Sequence, residues 1–259
     1  MEESIAHGYG RLPMVGTVRL ERDGPVGWAI IDNPERRNAL TAGMFGALSA
    51  GLAELDADDG IRVLVLRGAG TRAFASGADI GDLGSVPRTT PRGPLVDATK
   101  PIVAMIHGSC LGGGLLVALG ADIRICADDA RFAIPAIRLG VAYPYDGVRR
   151  LVAVAGPSAA GEILLTGETF GAEDALRWGL VSRVVAAAEL EARVTGVAAA
   201  ISEGAPLSVH AAKASIGAAL AGSPSDAVDD VIRACWASED LAEGRQAFAE
   251  KRPPVWRGR

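Results

Sequence analysis

Short apolar runs of strand length alternate along this chain with longer apolar patterns of helical spacing, and this alternation constrains the fold most. Residues 63–66 and 102–106 are apolar runs typical of buried strands, and residues 122–126 are a further predicted strand. Residues 40–55 and 151–165 place apolar side chains three or four apart, as a helix with one buried face requires. Strands that alternate with helices predict an α/β fold built on a parallel sheet.

The two ends of the chain differ from this central pattern. Apolar and polar residues alternate over residues 17–22, Asp23 and Gly24 form a turn signal, and residues 26–31 are an apolar run. This pattern predicts a β-hairpin. Residues 190–250 are rich in alanine and have helical spacing. We therefore expect a flexible arm over residues 1–14, an α/β core over 15–195, a helical region over 196–259 and a long surface loop over 81–94.

Charge and cysteine content exclude several classes of function. The 259 residues carry a net charge of −5 without a long basic run, which argues against nucleic acids and anionic membranes as partners. No apolar stretch reaches 18 residues and the first 14 residues are polar, so we expect a cytoplasmic protein. Cys110, Cys126 and Cys235 are too dispersed for a disulfide framework or a zinc site, and we expect no metal.

The first motif is the turn at residues 33–40, which carries two cations just before a helix. Arg36 or Arg37 could bind a phosphate group there. A solvated turn without a ligand is the simpler alternative.

The second motif is the glycine-rich segment at residues 67–80, which follows an apolar strand. Its small residues would let a ligand approach the backbone closely. Residues 68–73 also satisfy a loose dinucleotide-binding pattern, but such a site needs a helix to begin there, and residues 74–79 have no helical spacing.

The third motif is the segment at residues 107–119, in which three consecutive glycines open an apolar helix. Exposed backbone N–H groups at such a point can stabilise an oxyanion that forms during a reaction. The alternative is that the glycines only allow close helix packing. His107 itself is expected to be a packing residue at a strand end.

The second and third motifs, in this order and spacing, resemble the crotonase superfamily, which is the enoyl-CoA hydratase/isomerase family. The likeness runs from about residue 15 to the end and includes residues 132–140, 164–167 and 172–185. It implies the crotonase fold, in which repeated ββα units form a spiral core with a helical C-terminal extension. It also implies a homotrimer or a dimer of trimers, and an acyl-CoA thioester as substrate. No separate cofactor is implied, because coenzyme A is part of the substrate.

The resemblance also implies roles for particular residues of this chain. The backbone N–H groups of Ala78 and Gly113 would form an oxyanion hole around the thioester oxygen. Residues expected to contact coenzyme A are Arg36, Arg37, Ala75, Ser76, Gly77, Asp79 and Gly112.

The chain departs from the family pattern where hydratases of this family carry two glutamates. Direct spacing places those positions at Leu116 and Ala136, neither of which can transfer a proton. Tyr143 and Asp146 are the remaining candidates for a polar catalytic group. Asp146 is alternatively the N-cap of the following helix, which is the interpretation the local sequence favours.

These features predict an acyl-CoA-processing enzyme that stabilises a thioester enolate. Its chemistry would be that of a lyase, either hydratase-like or decarboxylase-like, or that of an isomerase. One alternative is a non-catalytic acyl-CoA-binding protein, which the missing glutamates would explain. Another is an NAD-dependent oxidoreductase using residues 68–73.

Overall fold

The structure, a computed structural model, describes residues 16–79, 98–222 and 226–259. The arm expected over residues 1–14 and the loop expected over 81–94 lie outside the described residues. The strands are β1 (Thr17–Asp23), β2 (Val26–Asp32), β3 (Val63–Gly68), β4 (Ala73–Ala75), β5 (Ile102–Ile106), β6 (Ser109–Leu111), β7 (Ile123–Ala127), β8 (Arg131–Ala133), β9 (Phe170–Gly171) and β10 (Arg183–Val185).

The described helices surround these strands and continue beyond them. They are α1 (Ala42–Ala57), α2 (Gly113–Leu119), α3 (Tyr145–Thr166), α4 (Ala172–Arg177), α5 (Leu190–Ser202), α6 (Pro206–Ala221), α7 (Asp226–Trp236) and α8 (Glu239–Glu250). The hairpin, the central strands and the C-terminal helices predicted from the sequence are confirmed. Thr41 caps α1, since its side chain accepts a hydrogen bond from the Met44 amide.

Two sheets form the core of the fold. A six-stranded sheet has the order β1-β2-β3-β5-β7-β10, in which only the hairpin pair β1 and β2 is antiparallel. A four-stranded sheet has the order β4-β6-β8-β9. The pairs β3–β4, β5–β6 and β7–β8 each give one strand to each sheet, so successive units stack side by side. This repetition places the turns after β4 and β6 next to each other.

The central strands are buried on both faces, which explains their continuous apolar sequence. Val65 packs with Leu190 of α5 on one face of β3. Leu66 lies on the other face, in the larger cluster that includes Leu52 of α1. Helices therefore cover both sides of the six-stranded sheet.

The C-terminal helices are less buried than the core. Leu190, Val194 and Ala198 of α5 pack on the sheet, so this helix crosses the boundary expected at residue 195. Every described residue of α6 and α7 keeps some exposure. None of the helices in the described ranges is long and apolar enough to cross a membrane.

Candidate active site

The turn at residues 33–40 packs directly against the segment at residues 75–79. The Ser76 amide donates to the Arg37 carbonyl at 3.0 Å, and the Ser76 hydroxyl donates to the Arg36 carbonyl at 3.1 Å. The two segments that the sequence predicts to contact coenzyme A are thus one continuous surface.

Asn38 holds this turn in place from inside. Its side chain is buried, its carbonyl oxygen accepts from the Asn33 amide, and its amide nitrogen donates to the carbonyls of Ala69 and Ala73 at 3.0 and 2.7 Å. Its φ angle of 57° is one that asparagine tolerates better than most residues. The sequence analysis did not single out Asn38, although an asparagine between a cationic turn and a helix cap is a recognisable turn signal.

Arg36 and Asp79 form an ion pair between the two segments. Arg36 Nη1 lies 2.7 Å from Asp79 Oδ2, and the side-chain exposures are 50% and 7% respectively. The guanidinium is therefore anchored at one nitrogen while half of its surface still faces solvent. Arg37, also expected to bind phosphate, is exposed in the same turn.

The amide of Ala78 points away from this turn. Leu40 donates to the Gly77 carbonyl at 2.8 Å and accepts from the Asp79 amide at 2.9 Å, which makes a one-residue parallel bridge between Leu40 and Ala78. In such a bridge the residue between the two hydrogen-bonded partners, here Ala78, makes neither bond, and its own N–H and carbonyl groups point away from Leu40. The Ala78 N–H group therefore points towards the other side of this segment.

The amide of Gly113 lies on that other side, at the start of α2. A Cβ atom on Gly113 would lie 3.1 Å from the Ala78 nitrogen, and one on Gly77 would lie 3.7 Å from the Gly113 nitrogen. Among the described residues, neither the Ala78 nor the Gly113 N–H group has a hydrogen-bond acceptor. The structure thus brings together two unsatisfied donors from two sheet repeats.

Two glycines make this approach possible. Gly77 has a φ of +110° and Gly112 a φ of +46°, both in the region that side chains rarely adopt. A Cβ atom on Gly77 would also lie only 3.3 Å from the Leu111 carbonyl oxygen. The small residues of both motifs therefore serve close backbone contact.

Tyr143 reaches the site from the segment before α3. Its hydroxyl donates to the Gly112 carbonyl at 3.2 Å. Burial raises the pKa of this phenol well above its ordinary value, so Tyr143 is neutral across the physiological range. A neutral tyrosine is a hydrogen-bonding group and not a general base.

Asp146 does not occupy the position favoured by the sequence analysis. The N-cap of α3 is Pro144 and the helix begins at Tyr145, so the expectation that Asp146 caps the helix is wrong. Pro144 lies two residues before Asp146, and its ring fixes the backbone φ at the N-cap. The half-exposed carboxylate of Asp146 lies instead 3.8 Å from Arg149 Nε.

An aromatic ring lies beside the paired amides. A Cβ atom on Gly113 would lie 3.2 Å from Phe45 Cζ, which places this ring beside the two donors. Leu116 of α2 lies against Gly147, while Ala136 is partly buried against the main core. The sequence analysis did not identify Phe45, because its position depends on the packing of α1 against α2.

Two further sequence predictions concern His107 and the dinucleotide-binding pattern. His107 is 8% exposed and packs at the end of β5, as expected. Residues 73–75 form β4, so no helix begins after the glycines at residues 68–73 and the dinucleotide-binding alternative lacks the element it needs. Across the described part of the chain, no cluster of side chains suits a metal ion.

Comparison with known proteins decides the family. A family model described as enoyl-CoA hydratase/isomerase matches residues 22–259. The chain belongs to the enoyl-CoA hydratase/isomerase family. Its sequence is 35% identical over 263 residues to the carnitinyl-CoA dehydratase of Salmonella typhi, covering 95% of this chain and 100% of that relative. The crotonase-superfamily resemblance stated from the motifs is therefore confirmed.

Solved structures of the enoyl-CoA hydratase/isomerase family agree with the fold. An enoyl-CoA hydratase/carnithine racemase from Magnetospirillum magneticum matches with a TM-score of 0.87 at 35% identity, covering 93% of this chain and 96% of that one. The enoyl-CoA hydratase of Bacillus anthracis matches with a TM-score of 0.83 at 26% identity, covering 93% and 99%. The expected crotonase fold is confirmed.

Proposed function

We propose that this protein is an enzyme that forms an enolate from an acyl-CoA thioester and stabilises it between the N–H groups of Ala78 and Gly113. The observation that carries the proposal is the convergence of these two amides, for which the described residues supply no acceptor. An enolate oxygen would supply that acceptor. A preorganised donor in a dry site contributes roughly 3 kcal/mol to the stability of such an oxyanion.

Coenzyme A would lie along the surface formed by residues 33–40 and 75–79. Its phosphates would contact Arg36 and Arg37, whose guanidinium groups suit phosphate oxygens. Anchoring by Asp79 limits the motion of Arg36 and leaves further N–H donors for a phosphate. The adenine would contact Ala75, Ser76 and Gly77, and the thioester would end at Gly112 and the two amides.

The chemistry that fits this site best is that of a decarboxylase-like lyase. Hydration needs a titratable group within reach of the proton it moves, and Leu116 and Ala136 stand where the family resemblance places glutamates. Tyr143 is neutral and Asp146 is paired with Arg149 at a half-exposed position. Decarboxylation of a substrate with a carboxylate on its α-carbon needs no base. The bond between the α-carbon and the carboxylate breaks, CO2 leaves, and the electron pair of that bond forms the enolate. Water then protonates the α-carbon.

A second candidate is an acyl-CoA-binding protein without turnover. The apolar side chains at positions 116 and 136 favour it, because they leave the paired amides without an evident acid or base. Coenzyme A would bind to the same surface in either case. Hydratase-like and isomerase reactions are the other outcomes that the following experiment separates.

The test is mass spectrometry of the purified protein incubated with a panel of acyl-CoAs that includes crotonyl-, methylmalonyl- and carnitinyl-CoA. Loss of CO2 would support the decarboxylase, a gain or loss of water a hydratase-like enzyme, and a retention change without a mass change an isomerase. Binding of acyl-CoA with no change supports the second candidate. Absence of both binding and turnover contradicts the proposal.

A pair of glycine variants connects any turnover to the proposed oxyanion hole. Gly113→Ala adds a methyl group 3.1 Å from the Ala78 nitrogen, where the oxyanion would sit. We expect turnover to fall by about 100-fold or more. Gly46→Ala in α1 is the matched control, because its methyl group would meet no atom within 4 Å, and full turnover is expected. Equal activity of the two variants would place the reaction elsewhere.

We also propose that the chain assembles as a homotrimer or a dimer of trimers through residues 196–259. Large apolar side chains are exposed on the C-terminal helices, among them Trp236 at 72% and Phe248 at 88%. Isolated exposed side chains are common, but several on three neighbouring helices are typical of a protein interface. A cytoplasmic location stays a prediction.

A further inference from the structure

We propose that Tyr143 is a positioning residue that orients and polarises the peptide group between Gly112 and Gly113. This inference rests on the proposed function, in which the Gly113 N–H group is one of the two oxyanion donors. It assigns Tyr143 a role through the backbone and not through contact with the substrate.

The geometry of the Gly112 carbonyl supports this role. Its oxygen accepts two hydrogen bonds, one from the Tyr143 hydroxyl at 3.2 Å and one from the Leu116 amide at 3.0 Å. The Gly112 carbonyl and the Gly113 N–H group belong to the same planar peptide unit and point in opposite directions. A contact that fixes the carbonyl oxygen therefore also fixes the direction of the N–H bond.

Side chains of its own residues do not restrain this peptide. Three consecutive glycines, at positions 112–114, lack the side chains that normally limit rotation of the backbone. The φ and ψ of Gly112, 46° and −113°, lie outside the regions that other residues favour. Hydrogen bonds must therefore hold the donor in one orientation. Hydrogen bonding at the carbonyl also polarises the amide, so its N–H group becomes a stronger donor.

The tyrosine ring is held where this contact needs it. A Cβ atom on Gly147 would lie 2.8 Å from Tyr143 Cε1 and 2.5 Å from Leu116 Cδ1, so the ring packs tightly against the first turn of α3. The hydroxyl donates to the Gly112 carbonyl, and burial raises the pKa of the phenol, so the proton stays on the tyrosine oxygen. The structure thus favours a fixed donor over a proton-transfer group.

The sequence offers a direct spectroscopic test in the ligand-free protein. Adjacent glycines occur only as the pairs 112–113 and 113–114. In protein made with glycine carrying 13C at its carbonyl and 15N at its amide, an HNCO spectrum shows only these two amides. We expect Tyr143→Phe to shift one of them upfield in both the carbonyl 13C and the amide 15N. A role limited to substrate contact would leave both signals in place.

Two further proteins complete the spectroscopic test. Tyr145→Phe is the matched control, because Tyr145 lies two residues further along the chain and is 77% exposed, and it should leave both signals unchanged. Replacing tyrosine by 3-fluorotyrosine in that background strengthens the phenol as a donor while preserving its shape. The expected shift is then downfield, which tests the inference even where Tyr143→Phe does not fold. If neither Tyr143→Phe nor 3-fluorotyrosine at position 143 shifts the signals, the positioning role of Tyr143 is overturned.

The catalytic consequence is measured separately. On any substrate that the acyl-CoA panel identifies, Tyr143→Phe should lower kcat about tenfold with little change in KM, since one hydrogen bond to the donor peptide is lost. If Tyr143→Phe shifts the amide signal but leaves kcat unchanged, the positioning role is contradicted. If the panel identifies no substrate, the proposed function fails, while the amide shift still shows whether Tyr143 polarises the peptide.

Discussion

At the scale of single residues, the site depends on side chains that never touch the proposed ligand. Asn38 is the clearest case, because one buried side chain satisfies the Asn33 amide and two carbonyls. Buried polar groups that lose their partners are costly. The position of the turn proposed to bind phosphate therefore depends on the Asn38 side chain beneath it.

Asn38→Ala is expected to lower the free energy of unfolding by about 2 to 4 kcal/mol, because it leaves three backbone groups without their partner and places alanine at a positive φ. Urea denaturation measures the loss. Asn38→Gly removes the same hydrogen bonds without the backbone cost, so it should retain about 1 kcal/mol more. Wild-type stability in the alanine variant would contradict the structural role of Asn38.

At the scale of elements, the turn at residues 33–40 and the segment at residues 75–79 act as one surface joined by Arg36 and Asp79. Their assembly depends on the parallel bridge at Leu40 and Ala78. The same bridge directs the Ala78 amide towards Gly113. The proposed binding of coenzyme A and the proposed oxyanion hole would therefore be coupled through one short stretch of backbone.

Arg37→Met is expected to weaken binding of coenzyme A about tenfold at low salt, because it removes an exposed guanidinium that we propose contacts a phosphate. Isothermal titration measures the dissociation constant. Arg22→Met provides the control, since Arg22 pairs with Glu54 and Asp58 away from this surface, and its affinity should match the unaltered protein. The difference in dissociation constant between the two variants should decrease as salt is added. A loss of equal size in both variants would assign the effect to net charge.

The elements that the sequence predicted share a physical property. The central strands of the large sheet are buried on both faces, and this produces the apolar runs that identify them. In contrast, β4 and β6 have three residues each, too few to show a period, and they exist because distant segments pair with them.

The same distinction applies to the site. Glycine-rich motifs with family spacing were sufficient to single out Ala78 and Gly113. The positions of Phe45 and Asn38, the ion pair of Arg36 and the hydrogen bond of Tyr143 were not predictable, because each joins segments far apart in sequence. Local sequence reports turns and periodicity, but it does not report which distant groups meet.

At the scale of the whole molecule, burial of His107 links stability to pH. Burial, followed by the nearby Arg67 charge, lowers the pKa of this imidazole in the folded protein, although Asp129 opposes the effect. Below the ordinary value of 6.5 the unfolded chain binds a proton that the folded chain does not. The contribution of His107 to stability is therefore present above that pH and decreases as the pH falls below it.

His107→Gln is expected to flatten the decline in unfolding free energy between pH 7 and pH 5, by up to about 1.4 kcal/mol per pH unit. Chemical denaturation at a series of pH values gives the slopes. His210→Gln in α6 is the control. Its unfolding free energy should change with pH between pH 7 and pH 5 with the same slope as that of the unaltered protein. Identical slopes for all three proteins would show that His107 does not contribute.

The proposed trimer gives a prediction at the same scale. Phe248→Asp in α8 should shift the sedimentation coefficient towards that of a monomer, because it places a charge in an apolar interface. Leu165→Asp is the control, since Leu165 is 77% exposed on α3, outside the C-terminal helices. A monomeric unaltered protein, or dissociation by the control alone, would contradict the assignment of the interface to residues 196–259.

The use of backbone amides as the proposed oxyanion donors affects how such a site can evolve. Only proline among the encoded residues lacks a backbone N–H group, so the donor atoms do not depend on which side chain is present, although a side chain at position 113 would crowd the oxyanion. The residues at positions 116 and 136 lie where the family resemblance places catalytic side chains, and a single substitution there can change the chemistry of the site. A gene with this architecture can therefore lose one reaction and acquire another while its charge-stabilising centre persists through every intermediate.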